Sequence, residues 1–284
     1  MSVSSQTVGS VQPVGASSLN RLGKSAAKRL LLTGIYLVGV GLIWQLIYLL
    51  MVEVFQIWNV ALFPSPLDVI AALADHLSDG TMGRAISTSL LRLFFGFGIA
   101  LPLGVMLGLS LSRNHWVRLL LGPLVVGFQA LPSICWLPLA ILWFGLNERA
   151  IIFVVVMGSV FSITAATYDG TKLISPLLMR AATNMGVRGW KMFWRVVLPA
   201  ALPAILSGTR QGWSFAWRSL LAGELLTAGH GLGNLLNQGR DLTDMALVMA
   251  VMVVIIMLGL AVDLLVLTNF ELVVRRRYGL MNQL

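Results

Sequence analysis

The chain has 284 residues, 57% of them hydrophobic and only 11% charged, with a mean hydropathy of +0.86; an ordinary soluble domain carries about 25% charged residues, so a water-soluble fold is excluded. The formal charge of +9 does not indicate nucleic acid, because the basic residues stand in short gaps between apolar runs and not together on one solvated face. That spacing is the kind that sets membrane topology and attracts anionic lipid head groups.

Residues 1–20 carry no charge and no periodic pattern, as in a disordered tail. Arg21, Lys24, Lys28 and Arg29 follow, and then an apolar run over residues 30–52, long enough for a bilayer crossing of about 20 residues and too long for a cleaved signal. Phe63-Pro64-Ser65-Pro66 reads as an extramembrane turn. The spacing of Leu67, Ile70, Leu73 and Leu77 predicts a short interfacial helix after it. A second span covers residues 85–111 and a third residues 119–146, interrupted at Leu131-Pro132 and Leu137-Pro138. Each proline removes a helix hydrogen bond, and broken helix at membrane depth is tolerated only where protein buries it or a cavity meets it. Cys135, the single cysteine, lies in this run and is expected to be a small buried side chain.

The fourth span covers residues 150–166, and the chain then leaves the membrane over 168–197, which carries Lys172, Arg180, Arg188, Lys191 and Arg195. The fifth covers 198–226, a glycine-rich stretch fills 229–239, the sixth covers 245–268, and Arg275, Arg276 and Arg277 come last. The amino-terminal cluster, Arg113 with Arg118, the 168–197 segment and the arginine triplet all fall on one face, whereas Arg84, Arg149 and Arg240 alone fall on the other. The positive-inside rule makes the first face cytoplasmic, with both termini there. The expected fold class is all-α, a polytopic membrane protein with six transmembrane helices: a cytoplasmic tail over 1–29, a membrane domain over 30–270 and a second cytoplasmic tail over 271–284.

Arg180-Ala181-Ala182, three residues, Gly186, nine residues, Val196, one residue, then Leu198-Pro199 resembles the EAA loop of binding-protein-dependent ABC importer permeases. Arg180 stands where that pattern has glutamate, and Val196 where it has isoleucine. Phe63-Pro64-Ser65-Pro66-Leu67, the two Leu-Pro pairs, Trp143-Phe144-Gly145 and Ala222-Gly223-Glu224 are similar to the branch importing nitrate, aliphatic sulfonates, taurine or related anions. The resemblance implies the type I importer permease fold and a second permease copy as a homodimer. It also implies two cytoplasmic ATPase subunits holding ATP and Mg, an extracytoplasmic solute-binding protein, and a bacterial inner-membrane location. It assigns ATPase coupling to Arg180, Ala181, Ala182, Gly186, Leu198 and Pro199, within the segment 168–197. No cofactor is expected in this chain.

Arg92, Arg210 and Arg218 lie at membrane depth, where a charged side chain costs about 2.5–3.5 kcal/mol and so faces a bundle interior or an aqueous cavity. Arg210, Ser214, Trp217 and Arg218 share one helical stripe, and a guanidinium binds carboxylate, sulfonate or nitrate through paired hydrogen bonds. These residues are candidates for an anion path, with Gln129, Ser133 and Trp136 on the third span as companions. The alternatives are that Arg210 pairs with a neighbouring acid or the backbone and that Arg218 snorkels to the far interface. Arg92 reads as structural, Glu224 as a tether for an external loop or the binding protein, and Asp263, near the inner end of the sixth span, as able to pair with a basic neighbour and without a functional role.

His76, His115 and His230 stand apart without a nucleophile or ligand cluster, so no catalytic or metal site is expected. Leu22-Gly23-Lys24-Ser25 lacks the first glycine of a phosphate loop, which leaves ATP hydrolysis to another chain. Two rival classes are a membrane-embedded enzyme acting on lipid, which needs paired acid and base groups, and an ion-driven secondary carrier, which favours inverted repeats and intramembrane acids. Bicarbonate or an uncharged heterocycle remain alternative solutes.

Overall fold

The structure is a computed structural model that describes residues 38–59, 61–227 and 229–269. The two tails, the basic residues 21–29 and 275–277 and the glycine-lysine pair at 23–24 lie outside the described residues. All described regular structure is helical, in two compact units that divide after Pro66.

The first unit holds α1 (Val38–Val54), whose last turn, Leu49–Val54, is π-helical, and the turn after it. Phe63 closes that turn against the rings of Trp44 and Trp58, at centroid separations of 6.5 and 5.1 Å.

The second unit takes in α2 (Pro66–Ser78) from Leu67 onward; the helix starts on a proline, a residue suited to a first helical position because its missing N–H has no partner to lose there. Leu67, Ile70 and Leu77 are exposed while Val69 is buried, so the apolar stripe of the expected interfacial helix is an outer surface, and of its members Leu73 alone meets the core. A lipid-facing helix presents such a surface.

Helices α3 (Thr81–Arg113), α6 (Glu148–Lys172) and α8 (Gly189–Leu226) form the centre of the unit. Leu93, Phe97, Ile151, Val155, Ile163, Trp213 and Leu220 make its apolar heart, with the Trp213 ring edge-on to Phe97 at 5.1 Å. Small residues let the backbones approach: a Cβ on Gly104 would lie 2.8 Å from the Cβ of Ile163, and one on Gly208 would strike Ala166. In lipid, where apolar side chains gain nothing by leaving solvent, such close packing replaces the hydrophobic drive between helices. α9 (Leu232–Asp241) and α10 (Met245–Val262) complete a second cluster with the start of α3, through Met82, Leu235, Leu247 and Val251.

The third span is a bent pair, α4 (His115–Ala130) and a short turn leading into α5 (Leu137–Phe144), at 108° to each other. Leu131 is extended, at φ −75° and ψ 124°, the conformation forced on a residue before proline. Pro132 therefore ends α4. Pro138 does not break the chain as expected, since it occupies the first turn of α5, where proline is tolerated. Cys135, in the turn between them, is exposed and not buried.

Four described helices are long and apolar enough to cross a membrane, and the bent pair makes five if it is one span. The expected six is therefore not reproduced as a count: the first span is described only from Val38 and falls in the shorter apolar class. α6 also continues to Lys172, one and a half turns past the expected end of the fourth span.

Candidate functional site

The break between α4 and α5 opens a cavity of about 340 Å³ beside α6 and α8. Gln129, Ser133 and Arg218 line it together with the rings of Phe128, Phe161 and Phe215. The wall is tight because α6 carries Gly158 there, where any side chain would collide with Ser219 and approach Ser133. Arg218 is exposed, and its guanidinium carbon stands 5.6 Å from the Phe215 ring centre. No carboxylate among the described residues pairs with it. Trp136 supports the wall from behind, edge-on to Phe128 at 5.4 Å and stacked near Phe161 at 6.3 Å.

Arg218 also borders a second concavity of about 470 Å³ along α8 and α10, shared with Arg210, Ser214, Trp217 and Asp263. The four-residue stripe expected on this helix thus meets one hollow. Within it Arg210 is paired: its Nε donates to Asp263 Oδ1 at 2.8 Å and its Nη2 to Oδ2 at 2.5 Å. Asp263 opens the π turn that continues α10, Asp263–Leu267.

Far along the chain, α7 (Pro176–Asn184) starts at Ser175, whose Oγ accepts from Leu177 N at 3.3 Å. It ends in a double closure: Val187 N donates to Ala182 O and Gly186 N to Thr183 O, each at 3.0 Å. That closure needs a left-handed residue, and Gly186 supplies it at φ +81°. Ala182 is buried, whereas Arg180 and Ala181 are exposed beside the apolar Leu177 and Met185. Leu198 and Pro199 sit just past the π turn Phe193–Val197 of α8, where Leu198 N donates to Phe193 O. Pro199 cannot donate a helical bond, and the wider π turn is a way for the helix to continue across that gap.

Residues 100–277 match the family of binding-protein-dependent transport system inner membrane components. This chain belongs to that family. It is the permease of an ABC importer, a multi-pass protein of the inner membrane. It is 34% identical over 200 residues to a probable ABC transporter permease protein of Brucella melitensis, covering 70% of this chain and 81% of the relative. It is 31% identical to the putative aliphatic sulfonates transport permease protein of Escherichia coli, at 76% and 86% coverage, and 27% identical to that organism's taurine transport system permease protein, at 75% and 79%. In fold it is similar to the MetNI methionine ABC transporter in an inward-facing conformation, with a TM-score of 0.56 and 22% identity over 67% of this chain and 93% of that one.

Another group of polar residues in this permease lies apart from the cavity. Glu224, fully buried, accepts from Ser89 Oγ at 2.8 Å, from Arg92 Nη1 at 3.0 Å and from Gly233 N at 2.9 Å. Arg92 Nη2 reaches Glu148 at 3.0 Å, and Ser89 Oγ in turn accepts from Leu232 N at 2.9 Å. Glu224 therefore tethers the loop before α9, and Arg92 is its counter-charge. Sequence reading missed the Arg92–Glu224 pair, whereas the pairing of Arg210 with an acid, here Asp263, is the alternative that it named for Arg210. The available signal was an intramembrane acid, Glu224, that needs a buried cation as partner.

Proposed function

We propose that this permease carries a small anion of the nitrate, sulfonate or taurine class inward, through a path that includes the Arg218 cavity. The carrying observation is an exposed guanidinium without a carboxylate partner among the described residues, beside the amide of Gln129 and the hydroxyl of Ser133. Five fixed donors of that kind fit a planar or tetrahedral oxyanion. The relatives named for taurine and for aliphatic sulfonates support the same class.

Two copies of the chain form the path between them, with Arg210, Ser214 and Trp217 along it. Two ATPase subunits, which hold ATP and Mg, close beneath the segment 168–197. The exposed face of α7, with Arg180 and Ala181, seats on them, while Gly186, Leu198 and Pro199 fix how that helix leaves and rejoins the bundle. The permease forms no covalent bond and has no ATPase site of its own. Both termini, with the tails over 1–29 and 271–284, are cytoplasmic by the distribution of basic residues.

A second reading is an uncharged heterocycle. The three phenyl rings of the cavity favour it, as does 31% identity to the formylaminopyrimidine transport permease protein of Halalkalibacterium halodurans. ATP hydrolysis by the reconstituted complex with its binding protein decides between them, using nitrate, taurine, alkyl sulfonates, bicarbonate and heterocycles in turn. Stimulation by one anion supports the first reading. Stimulation by a heterocycle alone replaces it.

A further inference from the structure

The ends of α3 and α6, the start of α4, Met179 of α7 and the first turns of α8 border an open hollow of about 390 Å³. Arg113, Arg118 and Lys172 line it, with the hydroxyl-bearing Ser112, Tyr168 and Thr171, and no carboxylate contributes to the lining. Aromatic rings restrain two of the three cations: Arg113 lies 5.7 Å from the centre of Trp190, and Lys172 lies 4.1 Å from that of Tyr168. The third, Arg118, donates to His115 Nδ1 at 2.9 Å. The guanidinium and ammonium groups are thus held at one place without an acid among the lining residues to neutralise them.

We propose that this hollow binds the phosphodiester head group of an anionic phospholipid. Its depth in the fold argues for lipid over a soluble anion. Arg113 and Lys172 are the last residues of two membrane-spanning helices, which sets the hollow where the apolar region ends and head groups lie. Trp116, Trp190 and Trp194 are exposed around it, as aromatic side chains are at a membrane interface. Leu119 and Leu120, exposed on the next turn of α4, offer an apolar surface to the acyl chains. Three cations around one phosphate also exceed what topology requires, since a single residue per loop serves to orient a span.

The test uses the purified complex of permease and ATPase, stripped in neutral detergent and titrated with phosphatidylglycerol or phosphatidylcholine of identical acyl chains. Native mass spectrometry reads the bound lipid. Phosphatidylglycerol is expected to be retained in preference, with about fivefold weaker retention for each cation removed, so that R113Q/R118Q/K172Q loses the preference about 100-fold. R113K/R118K, which keeps the charges, is expected to retain it, and this distinguishes a lost site from a lost fold. The proposal is overturned if the triple variant keeps the preference, or if millimolar inorganic phosphate displaces the lipid. It is equally overturned if the triple variant sheds the ATPase while its lipid retention is unchanged, which would make the hollow a protein contact.

Discussion

Arg210 and Asp263, 53 residues apart, meet through two hydrogen bonds, Nε to Oδ1 at 2.8 Å and Nη2 to Oδ2 at 2.5 Å, and so tie α8 to the π turn that follows α10. Arg218, two turns along the same stripe of α8, has no such partner among the described residues. One intramembrane cation is neutralised and the next borders a cavity without a carboxylate partner among the described residues. The two arginines that look alike in sequence therefore predict opposite variants.

Removing Asp263 alone leaves Arg210 without its counter-charge. The two side chains are 43% and 31% exposed, which moderates the loss below that of a fully buried pair. D263N is expected to lower stability of the complex by about 1–2 kcal/mol, and R210Q/D263N to recover more than half of that. A double-mutant cycle on thermal unfolding in detergent measures it, and strictly additive losses would contradict coupling.

R218M is expected to abolish uptake while the complex still assembles, since the side chain is exposed at the cavity and supports no core contact. R218K keeps a charge but loses the paired donors and is expected to transport at least tenfold more slowly. Uptake by R218M equal to that of the parent would remove Arg218 from the path.

At Gly186 the strain is purely backbone, because nothing stands within 4 Å of an added Cβ while φ is +81°. G186V is expected to cost about 1–2 kcal/mol and to loosen ATPase association, whereas G186N, which tolerates the left-handed region, is expected to be milder. Pull-down of the ATPase at graded salt compares the two, and equal retention would place the coupling contact elsewhere.

Gly104 presents the reverse case, an ordinary backbone with no room, its Cβ site 2.8 Å from Ile163 and 2.9 Å from the carbonyl of Val160. G104V is expected to destabilise the permease by about 1–3 kcal/mol by overpacking, read as a lower melting temperature with the ATPase still bound. A change confined to transport would argue against a packing role.

Asp79, in the turn before α3, accepts from Thr81 N at 2.7 Å, and this backbone bond, with that of the Thr81 hydroxyl, holds its carboxyl below the usual 3.8. A depressed carboxyl stabilises above its unfolded value and loses that contribution as pH falls through the folded one. D79N is therefore expected to melt below the parent at pH 7 and to converge with it as pH falls below about 4, compared by thermal melts of the two proteins.

The amino-acid order alone determined the membrane class and the break at Leu131-Pro132, because each follows from local rules: apolar run length and the clash before proline. It named Gln129, Ser133 and Arg218 as candidates because polar groups at membrane depth avoid lipid, and the fold brings the three to one cavity. Only the tertiary structure decided which arginine is paired and that Glu224 is wholly enclosed. It also turned the stripe of α2 outward and left Cys135 exposed. Those outcomes depend on how far each helix is rotated and slid against its neighbours, a register set by distant contacts such as Gly104 on Ile163 and Gly208 on Ala166, which no local pattern along the chain encodes.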